Sequence, residues 1–306
     1  MSQKYNLITV LGPTAGGKTS LAAHIANTLN GEIISADSRQ VYRGMDIGTG
    51  KDIADYSVSG KSIPYHLIDI VDAGYKYNVY EYQRDFIIVF NDIHSRHKLP
   101  ILCGGSGMYI ESILKGYRLI NVPVNEDLRK ELLDKSDEEL IKILDSIKRL
   151  HNKTDIDTRK RMIRAIEIES FYSMNPPPED DFPNINSLNI GLKFDRQSQR
   201  RRITQRLKQR LDEGLIDEVK ALLAKGITAE DILYYGLEYK FITQHILGEL
   251  SYQEMFTKLE TAIHQFAKRQ MTWFRKMERD GIKIHWLDGY ASLQEKMDRV
   301  IKLFND

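Results

Sequence analysis

The sequence predicts an α/β fold in which a parallel sheet is flanked by helices and interrupted by an inserted all-helical subdomain. Short apolar runs alternate with longer segments whose apolar residues recur at helical spacing, a pattern typical of βαβ units. From about Pro123 the alternation ends and only helical spacing continues. We therefore expect residues 1–122 and 183–306 to form the α/β core and residues 123–182 to form the insertion.

Six short apolar runs are the expected strands of the core. The expected strands are Leu7–Leu11, Glu32–Ser35, His66–Ile70, Pro100–Cys103, Leu188–Phe194 and Ile282–Leu287. Their near-continuous apolar character is typical of strands that are covered by helices on both faces. Between them, helical spacing of apolar residues (Leu21, Ile25, Leu29; Tyr82, Phe86, Phe90, Ile93) predicts the covering helices.

The insertion differs from the core in charge. Residues 126–145 carry eight acidic and four basic residues, with leucines and isoleucines at helical spacing. The run from Asn175 to Asp181 contains three successive prolines, which end a helix because proline lacks a backbone donor. The helices of the insertion are therefore expected to stop at this run.

Composition excludes several classes of protein. The chain has 306 residues, 44 Lys and Arg against 43 Asp and Glu, and a single cysteine, Cys103, so neither a disulfide framework nor a Cys-rich zinc site is available. We expect a cytoplasmic monomer with no obligate protein partner and no membrane segment, because no leader pattern and no run of about 18 apolar residues occurs. A nucleic-acid partner would have to be bound by local basic clusters.

A phosphate-binding loop follows the first predicted strand and opens the first predicted helix. Its eight residues fit the pattern G-x-x-x-x-G-K-[ST] and are Gly12, Pro13, Thr14, Ala15, Gly16, Gly17, Lys18 and Thr19. Backbone N–H groups and the helix N-terminus would hold phosphate oxygens, Lys18 would neutralise them, and the Thr19 hydroxyl would bind Mg²⁺. The fold class is thus P-loop NTPase-like, although the loop does not identify the diphosphate that it holds.

Three functions are considered for a protein with such a loop: a GTPase, a kinase and an RNA-binding module. Asn152–Asp155 has the N-K-x-D form of guanine recognition, but it follows a helical run and the chain has no D-x-x-G, which disfavours a GTPase. An ATP-dependent small-molecule kinase is the stronger rival, since a P-loop with Mg²⁺ serves phosphoryl transfer. A nucleotide-gated RNA-binding module is the non-enzymatic alternative.

Two further segments follow predicted strands and should share an edge with the loop. Asp37 follows the second strand, where it is equally well explained as a proton acceptor or as a residue that closes an Asx turn. Gly104–Tyr109 follows the fourth strand and is either a second set of phosphate-facing amides or a tight strand-to-helix turn.

Seven segments, in order through nearly the whole chain, carry a resemblance to a known family: Gly12–Thr19, Asp37–Tyr42, Arg43–Thr49, His66–Asp69, Tyr80–Asp85, Gly104–Tyr109 and Lys268–Arg275. With these segments the sequence resembles the tRNA dimethylallyltransferases, in their bacterial form. It implies that the loop binds dimethylallyl diphosphate and that the allyl group is transferred to N6 of the adenosine on the 3′ side of a tRNA anticodon. It further implies that Asp37 accepts the proton and that Lys18, Arg206 and a Mg²⁺ at Thr19 stabilise the departing diphosphate.

A basic segment is the clearest local excess of charge. Residues 193–210 contain eight basic residues and one acidic residue, with Arg202, Arg206 and Arg210 on one helix face beside an apolar stripe of Ile203, Leu207 and Leu211. From the pattern alone it could be a solvated helix or a phosphate-binding face. Residues 268–276 interleave bases with Trp273 and Phe274, which fits either base stacking or burial in the core.

The resemblance also implies a set of tRNA contacts. It assigns them to Asp37, Ser38, Arg39, Gln40, Ser106, Arg129, Lys160, Arg161, Met162, Ile163 and Arg164. Reaching N6 requires that the adenine leave its stack, so we expect a cavity with RNA on one side and the isoprenoid diphosphate on the other.

Overall fold

The computed structural model describes residues 4–147, 156–176 and 182–306. The chain forms two compact units: Met1–Gly116 with Pro183–Asp306, called the core unit below, and Tyr117–Phe182, called the helical unit. The helical unit thus begins six residues before the boundary expected at residue 123. The N-K-x-D run at Asn152–Asp155 and residues 177–181 of the proline-rich run lie outside the described residues.

The core unit alternates strands with helices. Its strands are β1 (Leu7–Leu11), β2 (Gly31–Ala36), β3 (Ser57–Val58), β4 (Lys61–Ser62), β5 (Tyr65–His66), β6 (Leu99–Gly104), β7 (Ser187–Lys193) and β8 (His285–Asp288). Its helices are α1 (Lys18–Leu29), α2 (Val79–Ser95), α3 (Gly107–Leu114), α7 (Arg196–Asp212), α8 (Leu215–Ala224), α9 (Ala229–Tyr234), α10 (Leu237–Ile246), α11 (Tyr252–Arg279) and α12 (Leu293–Asn305). A 3₁₀ turn spans Ile53–Tyr56.

Six strands form one parallel sheet in the order β5-β2-β6-β1-β7-β8. In register, Val10 of β1 pairs with Cys103 of β6 and with Ile190 of β7. The strand residues of β1, β2 and β6 are all buried, as expected of strands covered on both faces. The predicted α/β fold class is confirmed.

The helices cover the sheet with the residues that the sequence pattern indicates. Leu21 and Ile25 of α1 and Phe86 and Phe90 of α2 are buried. The 28-residue helix α11 begins with a capping box between Ser251 and Glu254 and should extend for about 40 Å. Its buried residues recur every three or four positions, so one face lies on the core along its length.

Two of the expected strands are shorter than the sequence indicates. The strand expected at His66–Ile70 is only Tyr65–His66, because Leu67 and Asp69 take positive φ (61° and 56°) and turn the chain out of the sheet. The strand expected at Ile282–Leu287 is His285–Asp288, because the Ile282 N–H donates to the Met277 carbonyl and completes the end of α11.

The helical unit contains α4 (Glu126–Leu133), α5 (Asp137–Ile147) and α6 (Arg159–Met174). Leu132, Leu140, Leu144 and Ile166 form its buried apolar core. A buried carboxylate, Glu167, accepts from the Asn125 N–H at 2.6 Å and ties the start of α4 to α6. No helix in the described ranges is long and apolar enough to cross a membrane.

A buried ion cluster lies at the amino end of β2. Glu32 is 2% exposed and accepts from Arg96, from Lys98 Nζ at 2.6 Å and from His66 Nε2 at 2.8 Å. Hydrogen bonds from Arg96 hold the pKa of the Glu32 carboxyl well below its usual range. Glu32 therefore stabilises the folded state above about pH 4, and this contribution is lost as the pH falls.

We expect Glu32→Gln to lower the free energy of unfolding at pH 7 by about 2–4 kcal/mol, because two cations lose their carboxylate partner. Urea unfolding measures the loss, which should shrink below about pH 4, because the wild-type carboxyl then takes up a proton on unfolding. Asp72→Asn, which breaks the exposed pair with Arg43, is the matched control and should cost less than about 1 kcal/mol. Equal losses in the two variants would contradict the role given to Glu32.

Candidate active site

Three loops meet at the carboxyl edge of the sheet. The P-loop follows β1, Asp37 follows β2, and Gly105 and Ser106 follow β6. Strand β6 lies between β1 and β2, so the three loops are adjacent although they are separated by up to about 90 residues in the sequence. This is the edge at which open α/β sheets bind ligands.

Unusual backbone angles give the P-loop its shape. Ala15 and Gly17 have positive φ (59° and 77°), and α1 begins directly after Gly17. Gly12 (φ 150°) lies so close to β7 that a Cβ would be 2.8 Å from the Leu192 carbonyl oxygen. The Lys18 ammonium donates to the Pro13 carbonyl at 2.9 Å, so the lysine is folded over the loop.

Asp37 closes the turn that the sequence allows and also lies where a ligand could reach it. Its Oδ1 accepts from the Arg39 N–H at 2.9 Å, which closes an Asx turn. The same side chain lines a cavity at this edge of the sheet, called the main cavity below. The Ser38 N–H donates to Ser106 Oγ at 3.0 Å, and this bond joins the Asp37 turn to the loop after β6.

The main cavity has a volume of about 320 Å³ and opens between these loops and helices α7, α10 and α11. Of the residues predicted for the site, those that line it are Thr14, Lys18, Thr19, Asp37, Ser38, Arg39, Gln40, Ser106 and Arg206. The remaining P-loop residues Gly12, Pro13, Ala15, Gly16 and Gly17 are not among its lining residues and shape the loop behind it. The structure therefore brings together the predicted base, cation and hydroxyl groups from four separate segments.

Gln270 of α11 has a role that the sequence motif did not reveal. It is 7% exposed, its Oε1 accepts from the Thr14 N–H at 2.9 Å, and its Nε2 donates to the Gly105 carbonyl at 2.9 Å. One amide thus joins the P-loop to the loop after β6. A Cβ at Gly105 would overlap the Gln270 amide, which explains a glycine at this position. In the sequence, Gln270 is distinguished only by its place in the Lys268–Arg275 segment.

Burial sets the electrostatics of the cavity. It lowers the pKa of Lys18 to about 8, and the nearby Arg206 acts in the same direction. Burial also raises the pKa of the Cys103 thiol to about 12, so this cavity-lining cysteine stays protonated at neutral pH. The pKa of Arg206 is lowered by burial and by the neighbouring Arg210. Such concentrated positive charge in a closed space favours an anionic ligand.

The three arginines predicted on one face of α7 all point towards the P-loop side. Arg202 Nε donates to the Ala15 carbonyl at 2.9 Å. Arg206 pairs with Asp52, and Arg210 lies 3.9 Å from Glu238. Ile203 and Leu207 are buried behind them, whereas Leu211, the third residue of the expected stripe, is only half-buried.

The predicted tRNA contacts in the helical unit divide into two groups. Lys160 and Arg161 are exposed, whereas Arg129 and Arg164 both bind the buried carboxylate of Glu167. Met162 and Ile163 are 2% and 9% exposed and lie in the core of this unit. The structure therefore assigns the Met162 and Ile163 side chains to packing rather than to RNA, because α6 turns them inwards.

The aromatic pair of α11 is used for packing. Phe274 is fully buried, and the Trp273 ring packs so closely on Gly107 that a Cβ there would overlap it. Neither ring lines the main cavity. Of the two explanations for this segment, burial in the core holds for Phe274, whereas Trp273 is half-buried against Gly107.

Comparison with known proteins assigns the family. Residues 40–277 match the IPP transferase family. The chain belongs to the IPP transferase family. It is 61% identical over 296 residues to tRNA dimethylallyltransferase 2 of Bacteroides fragilis, with 97% of each chain covered. It is 60% identical over 304 residues to tRNA dimethylallyltransferase 1 of Parabacteroides distasonis, with 99% of each covered.

Solved structures agree with this assignment. The full-length tRNA isopentenylpyrophosphate transferase of Bacillus halodurans superposes with a TM-score of 0.69 at 32% identity, covering 98% of this chain and 95% of that one. The predicted family and the predicted enzyme class, a prenyltransferase of the IPP transferase family, are confirmed. The comparisons favour this activity over the kinase and over the RNA-binding module.

We expect Gln270→Met to lower the free energy of unfolding by about 1–3 kcal/mol, because the Thr14 N–H and the Gly105 carbonyl lose their partner in a buried place. Affinity for inorganic diphosphate, measured by calorimetry, should fall as well, since the P-loop is no longer held. Gln253→Met, at an exposed position of the same helix, should change neither quantity. Unchanged diphosphate affinity in Gln270→Met would contradict a positioning role.

Proposed function

We propose that this chain transfers the dimethylallyl group from dimethylallyl diphosphate to N6 of the adenosine on the 3′ side of the anticodon in tRNA, releasing diphosphate. The observation that carries the proposal is a single cavity that combines a P-loop and arginines with a carboxylate and an apolar wall. Its relatives are named tRNA dimethylallyltransferases.

The cavity is suited to an amphiphilic donor. Lys18, Arg206 and Arg210 provide positive charge for a diphosphate, and Thr14 and Thr19 lie beside them. Tyr56, Ile263, Leu237 and Phe266 line the same space and would contact an isoprenoid chain. An alcohol or sugar acceptor of a kinase would not require this apolar surface.

Asp37 is the proposed acceptor of the amine proton. As the N6–C1 bond forms, the C1–O bond breaks, the electron pair leaves with the diphosphate, and one N6 proton passes to the Asp37 carboxylate. The Asx turn fixes the direction of this carboxylate before substrate arrives. Lys18 and Arg206 stabilise the charge that grows on the leaving oxygens.

The residues of the P-loop fit a Mg²⁺ ion that would be coordinated mainly by the bound diphosphate and not by the protein. The described residues contain no group of three or more acidic, histidine or cysteine side chains placed to hold a metal, so the Thr19 hydroxyl would be the protein ligand beside diphosphate oxygens and water. When bound, Mg²⁺ would supply further neutralisation of the leaving diphosphate.

The proposed RNA contacts begin at the cavity and continue along α7. Ser38, Arg39, Gln40 and Ser106 lie beside Asp37, where they would contact the extruded adenosine. An open groove between α7 and α11 carries the exposed cations Arg196, Arg200, Arg201 and Lys208, which are suited to backbone phosphates. In the helical unit, exposed Lys160 and Arg161 are candidates for further phosphate contacts. We propose that the enzyme acts as a cytoplasmic monomer.

The test is transfer of label from dimethylallyl diphosphate to unmodified tRNA, with labelled ATP in parallel. Prenyl transfer to the adenosine beside the anticodon is expected, with ATP inert. Asp37→Asn should lower kcat by on the order of 10²–10⁴ while the dissociation constants for donor and tRNA change less than about threefold. Asparagine keeps an oxygen that accepts from the Arg39 N–H, so the turn is preserved. ATP consumption without prenyl transfer would instead establish a kinase.

Donor affinity should also depend on the titration of Lys18. Its pKa of about 8 in the free protein is raised when a polyanion binds, so affinity is full below pH 8 and falls as the pH rises. We expect the dissociation constant for dimethylallyl diphosphate, whose phosphates are already ionised, to rise by up to about tenfold per pH unit between pH 8 and 10. Calorimetry without tRNA measures it. Lys18→Arg should flatten the profile, and a flat wild-type profile would contradict this role.

A further inference from the structure

Two of the arginines that line the main cavity are each paired with a carboxylate of their own. Arg206 pairs with Asp52, and Arg210 lies 3.9 Å from Glu238. Glu238 itself lines the cavity, at the start of α10, and is only 19% exposed. Asp52 precedes the 3₁₀ turn and lines a neighbouring groove of about 560 Å³.

The two guanidinium groups lie close to one another. A Cβ at Gly50 would overlap the guanidinium of Arg210 and lie 2.7 Å from Arg206 Nη2, so both groups converge on the same backbone position. Like charges at this separation in a partly buried place repel each other strongly. The Asp52 carboxylate beside Arg206 offsets this repulsion, and so does Glu238 beside Arg210, where burial raises the pKa of the carboxyl and Arg210 acts against that rise.

Arg206 and Arg210 lie between the main cavity and the neighbouring groove that contains Asp52, and they line both. A diphosphate in the main cavity would therefore compete with Asp52, on the groove side, for Arg206 and with Glu238, inside the cavity, for Arg210. A ligand that must displace an internal anion binds more weakly than it would to a preorganised cation.

We propose that Asp52 and Glu238 act as internal counter-anions that weaken the binding of diphosphate and so speed its release as product. This proposal rests on the function proposed above, because it requires a diphosphate in the main cavity. The two carboxylates do not contact the reacting atoms. They act through Arg206 and Arg210 by competing for them.

The test measures the affinity of inorganic diphosphate, with Mg²⁺ at pH 7.5, in Asp52→Asn and Glu238→Gln. We expect the dissociation constant to fall by about three- to tenfold in each variant, and product inhibition by diphosphate to strengthen in parallel. Asparagine tolerates the positive φ (39°) of Asp52, whose side chain makes no cap bond, so the backbone is undisturbed. Asp217→Asn removes the same charge from an exposed pair with Lys220 and should change affinity less than twofold.

A dissociation constant that is unchanged in the two variants would overturn the proposal. A higher constant would also overturn it, because the carboxylates would then hold the arginines in their binding positions. If Glu238→Gln proves unstable by its melting temperature, Glu238→Ala replaces it. A wild-type protein that binds no diphosphate and transfers no prenyl group would refute the proposed function itself, whereas normal transfer with unaltered variants would refute only the counter-anion role.

Discussion

The candidate site depends on the neighbourhood of three parallel strands. Because β6 lies between β1 and β2 and all three run in the same direction, the P-loop, the Asp37 turn and the Ser106 loop leave the sheet side by side. Hydrogen bonds then lock the three loops together: Ser38 binds Ser106, and Gln270 binds both Thr14 and Gly105. The positions of the proposed base and of the phosphate-binding loop are therefore fixed by the strand order and by these hydrogen bonds.

Two long helices bring further polar groups to the same edge of the sheet. Helix α7 carries Arg202, Arg206 and Arg210 to the P-loop side, and α11 carries Gln270 to the same edge. Their apolar faces are buried on the core, so the polar groups are held by packing rather than by flexible loops. Positioning charged groups on packed helices lowers the reorganisation needed when charge develops on a leaving diphosphate.

The distribution of charge shows how a chain of nearly zero net charge could bind the two polyanions of the proposed reaction. Cations are concentrated in the cavity and along α7, whereas residues 126–145 of the helical unit carry an excess of acidic residues. Within the cavity the positive charge is moderated by burial, which lowers the pKa of Lys18, and by carboxylates beside Arg206 and Arg210. In the proposed reaction, such a site would attract a diphosphate without retaining it.

The sequence by itself determined the parallel sheet, the P-loop and the family, because these depend on local spacing: apolar runs of strand length, glycines at fixed offsets and short motifs in order. It could not decide between the two roles of Asp37, place Gln270, or show that Met162 and Ile163 are core residues. It also overextended the strands at His66 and Ile282, where positive φ angles and a helix end intervene. The role of Gln270 depends on partners distant in the chain, such as Thr14, and only the tertiary structure brings such groups within hydrogen-bonding distance.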